Sequence, residues 1–330
     1  MYKISKKSEY FLYKYLNAYS PTGNEVDAQK IWMKYIEQYS DSIETDNYGT
    51  VVGVINNKNT FKIVIEAHVY EITWYVNYIT DDGIIYVARN CRTDNHIAHS
   101  KRVNIHTKNG IIDGLFVWPR KNLTTFIDIG ASNKKEVENL GVNVGCMVTY
   151  PDDFFIMNNK YFVGRALDNK ICGFIIAEVM RLIKEKNVVL PYGLYVINSV
   201  QVVGAKIINP NIAIITNVCH DTSTPMIDKK INGDVKCGLG PVINYSPSIH
   251  NNLREQIIFI ANKNNLSFQR LVSPTDAYYN NGVISALISI PIRYMNTTVE
   301  MANKKDIENC IHLMFEILKN IDINENFKYL

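Results

Sequence analysis

The chain has 330 residues, of which 47% are hydrophobic and 20% charged, enough apolar material for one large domain or two moderate ones. Its formal net charge is only +3, and the lysines and arginines are interspersed with acids. No basic stripe points to nucleic acid or an anionic membrane, and no stretch approaches the 18 apolar residues of a membrane span.

Two helices are expected first, over residues 8–18 and 25–39, with apolar positions three and four apart. The stop-and-restart segment Ser20-Pro21-Thr22-Gly23-Asn24 separates them, with Asn24 in position to cap the second. Asp46-Asn47-Tyr48-Gly49 reads as a turn before a strand over Val51–Ile55, and residues 56–59 as another. Lys62–Glu66 then reads as a buried strand delivering Ala67-His68-Val69-Tyr70-Glu71.

From residue 73 to about 162 the texture changes to short strands punctuated by turns at Asp81-Asp82-Gly83, Lys108-Asn109-Gly110 and Asp113-Gly114. Strands are expected over Ile84–Val87, Arg102–His106, Leu115–Val117 and Met147–Tyr150. Lys134–Leu140 alone reads as helical, with Ser132 as its cap. This is a compact, mostly β insert.

The α/β rhythm returns after Asp168. Gly173–Lys184 is an apolar helix, Tyr192–Val200 and Ile212–Val218 are buried strands, and Leu253–Asn264 is a helix. Ile288–Ile292 is a strand and Lys305–Lys319 a final amphipathic helix. Strands alternating with helices imply a largely parallel sheet covered by helices on both faces. The expected architecture is one α/β domain, residues 1–72 and 163–330, interrupted by a β-rich domain over 73–162.

The six cysteines form no Cys-x-x-Cys pair, which suits free thiols in a reducing compartment. With no basic-then-apolar leader in the sequence, a cytoplasmic protein is expected. His68 stands at a strand end and Asp168 at the entrance of an apolar helix. Open α/β sheets place their sites at such positions, and imidazole and carboxylate are zinc ligands. Each residue also has a structural alternative: a satisfied core histidine, and an acid complementing a helix N-terminus. His96 and His99, in a polar loop, read as surface residues.

Read together, Ala67-His68-Val69-Tyr70-Glu71-Ile72, Arg165-Ala166-Leu167-Asp168-Asn169, Asn198-Ser199-Val200-Gln201 and Arg293-Tyr294-Met295-Asn296 resemble the glutamyl and deblocking aminopeptidases. These are zinc exopeptidases of the co-catalytic, tetrahedral-particle type, and the resemblance spans nearly the whole chain. It implies a zinc-peptidase-like α/β domain, a PDZ-like insert that helps assembly, zinc or cobalt as cofactor, peptides as substrates, and a homo-oligomer or an assembly with an active paralogue.

It also implies a degenerate site. His68 matches the first metal ligand and Asp168 the carboxylate that bridges two ions. Asn217 and Asn296 stand where the family carries an aspartate and a histidine. Tyr70 replaces the aspartate that orients the histidine, a role typically worth 10–100-fold. The two glutamates expected after Gln201, the first the general base and the second a metal ligand, are absent from Gln201-Val202-Val203-Gly204-Ala205-Lys206. A general base typically contributes 10²–10⁴-fold, so no catalytic residue is retained with its role intact. His220, Asp221 and Asp276 match the family around the substrate pocket, and Glu300 matches a helix start near the site. The expectation is an impaired or inactive aminopeptidase relative. A weak enzyme with a rearranged single-metal site is the alternative, and an interaction module centred on the insert is a third reading.

Overall fold

The computed structural model describes residues 2–330 except 91–96, 118–124, 201–207, 274–281, 326 and 330. Helix α1 (Lys6–Asn17) starts where the Ser5 hydroxyl accepts the Ser8 N–H at 3.1 Å, and it buries Phe11, Leu12, Tyr15 and Leu16 at helical spacing. Helix α2 spans Val26–Ile36, and residues 37–39 form a 3₁₀ turn rather than a continuation. Asn24 does not cap it. The Asn24 N–H is taken by the Pro21 carbonyl at 2.8 Å, while Glu25 sits at the cap position and turns its carboxylate back to the Gly23 N–H.

The next strands are β1 (Ser42–Thr45), β2 (Val51–Ile55) and β3 (Lys62–His68). The insert holds β4 (Thr73–Ile79), β5 (Ile85–Asn90), β6 (Arg102–Thr107), β7 (Gly110–Val117), β8 (Phe126–Asp128), helix α3 (Lys134–Asn139) and β9 (Met147–Thr149). Its strands close on themselves in the order β4-β5-β8-β7-β6-β9, a six-stranded antiparallel barrel. Trp74, Phe116, Ile127, Val148 and Tyr150 fill a core separate from that of the main sheet. The Trp74 indole donates to the Tyr150 hydroxyl at 3.1 Å. Asn133, not Ser132, caps α3: its side chain accepts the Glu136 N–H while Glu136 reaches back to the Ser132 N–H, a reciprocal capping arrangement.

After the barrel come β10 (Phe155–Met157), β11 (Tyr161–Gly164), helix α4 (Leu167–Glu185), β12 (Gly193–Ser199) and β13 (Ile212–His220). Then follow the short α5 (Lys229–Asn232), β14 (Val242–Tyr245), α6 (Asn251–Lys263), β15 (Gln269–Val272), β16 (Ile284–Arg293), β17 (Glu300–Asn303) and α7 (Lys304–Asn320). Eleven strands form one mixed sheet whose main path is β1-β2-β12-β3-β13-β16-β17-β11-β10. Its centre, β12, β3, β13 and β16, is parallel, so the carboxyl ends of these strands point the same way.

Helices α1, α2, α4, α6 and α7 share one hydrophobic cluster with alternate residues of β3, β12, β13 and β16. The expected helical cover is therefore seen on one face among the described residues. The opposite face carries smaller clusters, around Val54, Val64, Ile197 and Ala213, and around Ile215 and Leu287. Helix α4 is buried nearly all round, because it lies between the sheet and the other helices. A Cβ on Gly173 would meet the Tyr15 hydroxyl at 2.6 Å, and the Gly173 carbonyl accepts the Trp32 indole N–H at 2.8 Å.

The barrel is fastened beside the parallel strand ends. Tyr75 donates to the Thr22 carbonyl at 2.9 Å, Asn104 to the Tyr19 hydroxyl at 2.5 Å, and Lys101 to the Thr298 hydroxyl at 3.1 Å. The cysteines among the described residues, Cys146, Cys172, Cys219, Cys237 and Cys310, are free.

Candidate active site

The parallel strands gather the predicted positions at one end of the sheet. His68 is the last residue of β3 and pairs in register with Ser199 at the end of β12. β13 pairs with β3 up to Ile215 opposite Glu66, which puts Asn217, two residues on, level with His68. The peptide chain enters α4 through Ala166 in the left-handed region and through Asp168 and Asn169, whose dihedrals are not helical. That detour turns the Asp168 carboxylate toward the strand ends, where its Oδ1 lies 3.9 Å from His68 Nε2.

Glu300 joins the two loops. One of its oxygens accepts the Asp168 N–H at 2.9 Å and the other accepts the Asn296 N–H at 2.8 Å. Asp168 and Asn296 are thus brought together by a side chain that has turned both oxygens to the backbone. This clamp was not evident from the residue types: Glu300 opens strand β17 rather than the helix expected there, and an acid at that place carries no sign that it will bind the amides of two distant loops.

The electrostatics favour uncharged forms. Burial pushes the His68 imidazole down to about 3 and the Asp168 carboxyl up to about 6. Burial, and then the charge of Asp168, pushes Glu300 well above the usual carboxylate range. A group of a different kind lies behind the site. Burial alone would raise Glu71, but Arg165, Lys170 and the Ser20 N–H at 2.6 Å hold it low, so it remains an ion. Lys170, fully buried and driven down to about 7 by that burial, donates to the Ala18 carbonyl at 2.5 Å. Glu71, Arg165 and Lys170 therefore lock the loop after α1 to the start of α4, a structural role.

The remaining predicted residues separate. The Tyr70 ring stacks on the His68 ring, with centroids 4.0 Å apart and planes 12° from parallel. Stacking covers the face of the imidazole, whereas an orienting base must lie in its plane. In keeping with that, His68 Nδ1 is buried with no hydrogen-bond partner. The Asn217 carbonyl oxygen accepts the Val218 N–H at 2.8 Å, so it is already engaged by its own strand.

Asp221 follows the last residue of β13 and is buried against Arg293, the last residue of β16. It accepts from the N–H and hydroxyl of Ser223, the Cys237 N–H and Arg293 Nε, which outweigh the raising effect of burial and bring it to about 2. His220, the last residue of β13, is exposed. Gln201 and Asp276 lie outside the described residues, as does His96.

A metal pair needs more than this. Among the described residues no group of three or more His, Cys, Asp or Glu side chains is placed to hold an ion. The stretch 201–207 contains none of these residue types, and 274–281 contains only Asp276. Zinc bonds of about 2.0–2.1 Å at a tetrahedral angle leave two donors roughly 3.3 Å apart. The His68–Asp168 separation of 3.9 Å is about half an ångström too wide for a shared ion. The described residues do not fit a two-ion centre.

A mixed sheet with its site at the parallel strand ends, an inserted barrel beside that site and an imidazole facing a helix-entry carboxylate describe a peptidase-like α/β protein. The M42 glutamyl aminopeptidase family model matches residues 49–313, and the chain belongs to this family, whose members are metal-dependent peptidases. The lysyl aminopeptidase of Pyrococcus furiosus is 27% identical over 316 residues, covering 87% of this chain and 89% of that protein. The TET aminopeptidase structure from Thaumarchaeota archaeon SCGC AB-539-E09 superposes with a TM-score of 0.90 at 26% identity, covering 96% of this chain and 97% of that one. The Pyrococcus horikoshii TET1 peptidase, which can assemble into a tetrahedron or a large octahedral shell, shares the fold with a TM-score of 0.83 at 24% identity. That match covers 95% of this chain and 100% of that one. Among the described residues, no helix is long and apolar enough to cross a membrane.

Proposed function

We propose that this chain is a pseudo-aminopeptidase: a cytoplasmic member of the family that keeps the fold and has lost peptide hydrolysis. The observation that carries the reading is the donor set. Of five ligand positions that the resemblance implies, His68 and Asp168 retain their residue types, Asn217 turns its carbonyl to its own backbone, Asn296 is an uncharged amide, and the ligand glutamate after Gln201 is missing. One carboxylate offsets little of the charge of two dications. The general-base glutamate is missing from the sequence after Gln201, and Tyr70 stacks where an in-plane base is needed.

The retained packing supports continued use of the protein. The central strands are buried and α4 is packed all round, so substitution has concentrated at the site while the core remains consistent. Its partners are peptides and either further copies of this chain, in a homo-oligomer, or an active paralogue in a shared assembly; the TET1 peptidase, which can assemble into a tetrahedron or a large octahedral shell, supports an assembly of this kind. We take residues 1–72 and 163–330 as the peptidase-like domain and 73–162 as the inserted assembly domain, of which β10 and the start of β11, beyond the barrel, join the main sheet.

A second reading, a weak single-metal aminopeptidase, is favoured by the His68–Asp168 pair, which half an ångström of closure would turn into two ligands of zinc or cobalt. The test is metal per chain by elemental analysis of untagged protein after exposure to zinc and to cobalt, together with release of N-terminal residues from a peptide mixture. Near-zero metal and no release support the pseudoenzyme. About one ion per chain, with release abolished by His68→Ala, would overturn it.

A further inference from the structure

Where β17 ends and α7 begins lies a cavity of about 600 Å³, lined by Lys3, Lys160, Lys304, Lys305, Asn303 and Glu308 among others. Its lysines come from distant stretches of chain: the N-terminal segment, the turn between β10 and β11, and the first turn of α7. For that reason no basic run marks it in the sequence. Two of these charges are answered within the protein. Lys3 donates to one Glu308 oxygen at 2.8 Å while the other accepts the Ile4 N–H at 3.1 Å, and Lys304 pairs with Glu9 at 3.1 Å. Asp306, in the first turn of α7, gives both oxygens to the Gly238 and Gly240 N–H groups, at 2.5 and 2.8 Å. Lys160 and Lys305 are exposed and form no ion pair among the described residues. The Lys160 ammonium lies 5.3 Å from the centre of the Tyr161 ring.

Asn303 is the group that points to a ligand. It is 2% exposed, and its carbonyl oxygen caps α7 by accepting the Lys305 N–H at 2.9 Å. Its amide nitrogen has no acceptor among the described residues and stands 3.3 Å from where a Cβ on Gly238 would sit, on the wall of the same cavity. A donor held in a buried residue calls for an acceptor. Two unpaired ammonium groups and the positive end of a 17-residue helix call for an anion. A phosphate group answers both, because it carries up to two negative charges and several acceptor oxygens on one atom. A carboxylate offers one charge and two oxygens in a plane, a poorer match to donors arriving from three elements.

We propose that this cavity binds a phosphate group, as inorganic phosphate or as the monoester of a small molecule, through Asn303, Lys160 and Lys305. The space has room for the esterified group as well. The site stands at the opposite end of β17 from Glu300 and does not depend on whether the chain hydrolyses peptides.

The test is equilibrium dialysis of the full chain against radiolabelled inorganic phosphate and, separately, radiolabelled glycerol phosphate, with ionic strength held constant by sodium chloride. The expected result is about one bound phosphate group per chain, at least about tenfold weaker in the pair Lys160→Ala and Lys305→Ala and lost in Asn303→Asp. Aspartate keeps the helix cap and puts an anionic oxygen where the amide donor was, so the fold should survive, as circular dichroism would check. Lys319→Ala, in the last turn of α7, removes a like charge far from the cavity and should leave binding unchanged. Whichever compound binds more tightly identifies the source of the phosphate group. Binding of neither, or binding that Asn303→Asp leaves intact, would overturn the proposal. Equal weakening in Lys319→Ala would overturn it too, because the effect would then be one of overall charge.

Discussion

Zinc added to the purified protein should stabilise it very little, and the expected size follows from the site. An ion that binds only the folded state raises stability by RT ln(1 + [L]/Kd). An intact centre saturated a thousandfold over its dissociation constant would contribute about 4 kcal/mol. Unfolding entropy of about 2.1 cal/mol/K per residue, over 330 residues, converts each kcal/mol into roughly 1.5 °C, so such a centre would raise the midpoint by about 6 °C. Here the donors in hand are one imidazole with an unpartnered Nδ1 and one carboxylate 3.9 Å away. Two ligands of a tetrahedral ion, separated by half an ångström too much, are expected to bind only at about millimolar concentration, so 1 mM zinc gives about 0.4 kcal/mol and less than 1 °C. The assay is a thermal melt with zinc, with cobalt and with a chelator, read by tryptophan fluorescence and repeated on His68→Ala. A rise of several degrees that disappears in His68→Ala would refute the reasoning and establish a functional ion site.

Two further outcomes follow from the residues around the site. Asp221 is held at about 2 in the folded chain, below its ordinary value of 3.8, so its stabilisation is fully present above about pH 4 and is lost as pH falls toward 2. Asp221→Asn should therefore destabilise by about 2 kcal/mol at neutral pH and by much less near pH 2.5, measured by urea unfolding at both pH values. Equal losses at the two pH values would show that the carboxylate charge is not what stabilises the loop. Separately, a fragment spanning residues 73–162 should fold alone with a cooperative melt, because the barrel closes on itself and buries Trp74, Phe116 and Tyr150 in its own core. A fragment that gives a broad, non-cooperative melt and no dispersed amide spectrum would mean that the domain boundary is wrong.

The insert shows how far pattern reading extends. Alternation and turn residues marked 73–162 as a small β unit, but closure into a barrel depends on β9 pairing with both β4 and β6, contacts between distant segments. A barrel closed in this way offers no free edge, so a ligand would have to use its faces or loops rather than add a strand. Cap positions moved by one residue for a comparable reason. Ser132 and Asn133 are both competent caps, and Glu136 chose between them by bonding one with its N–H and the other with its carboxylate.

Residue identity alone determined the family frame and most of the site's losses: His68 and Asp168 in their contexts, the amides at Asn217 and Asn296, and the missing glutamates after Gln201 are all covalent facts. Tertiary structure decided what the surviving groups do. Tyr70 stacks on the imidazole instead of bonding in its plane, Glu300 turns both oxygens to the backbone, and Asp221 pairs with Arg293 rather than with His68 or Asp168. The physical reason is that a carboxylate or phenol can serve as ligand, clamp or ion-pair partner. The choice is made by which N–H groups and charges the fold places within about 3 Å, a matter of long-range packing that local sequence does not encode.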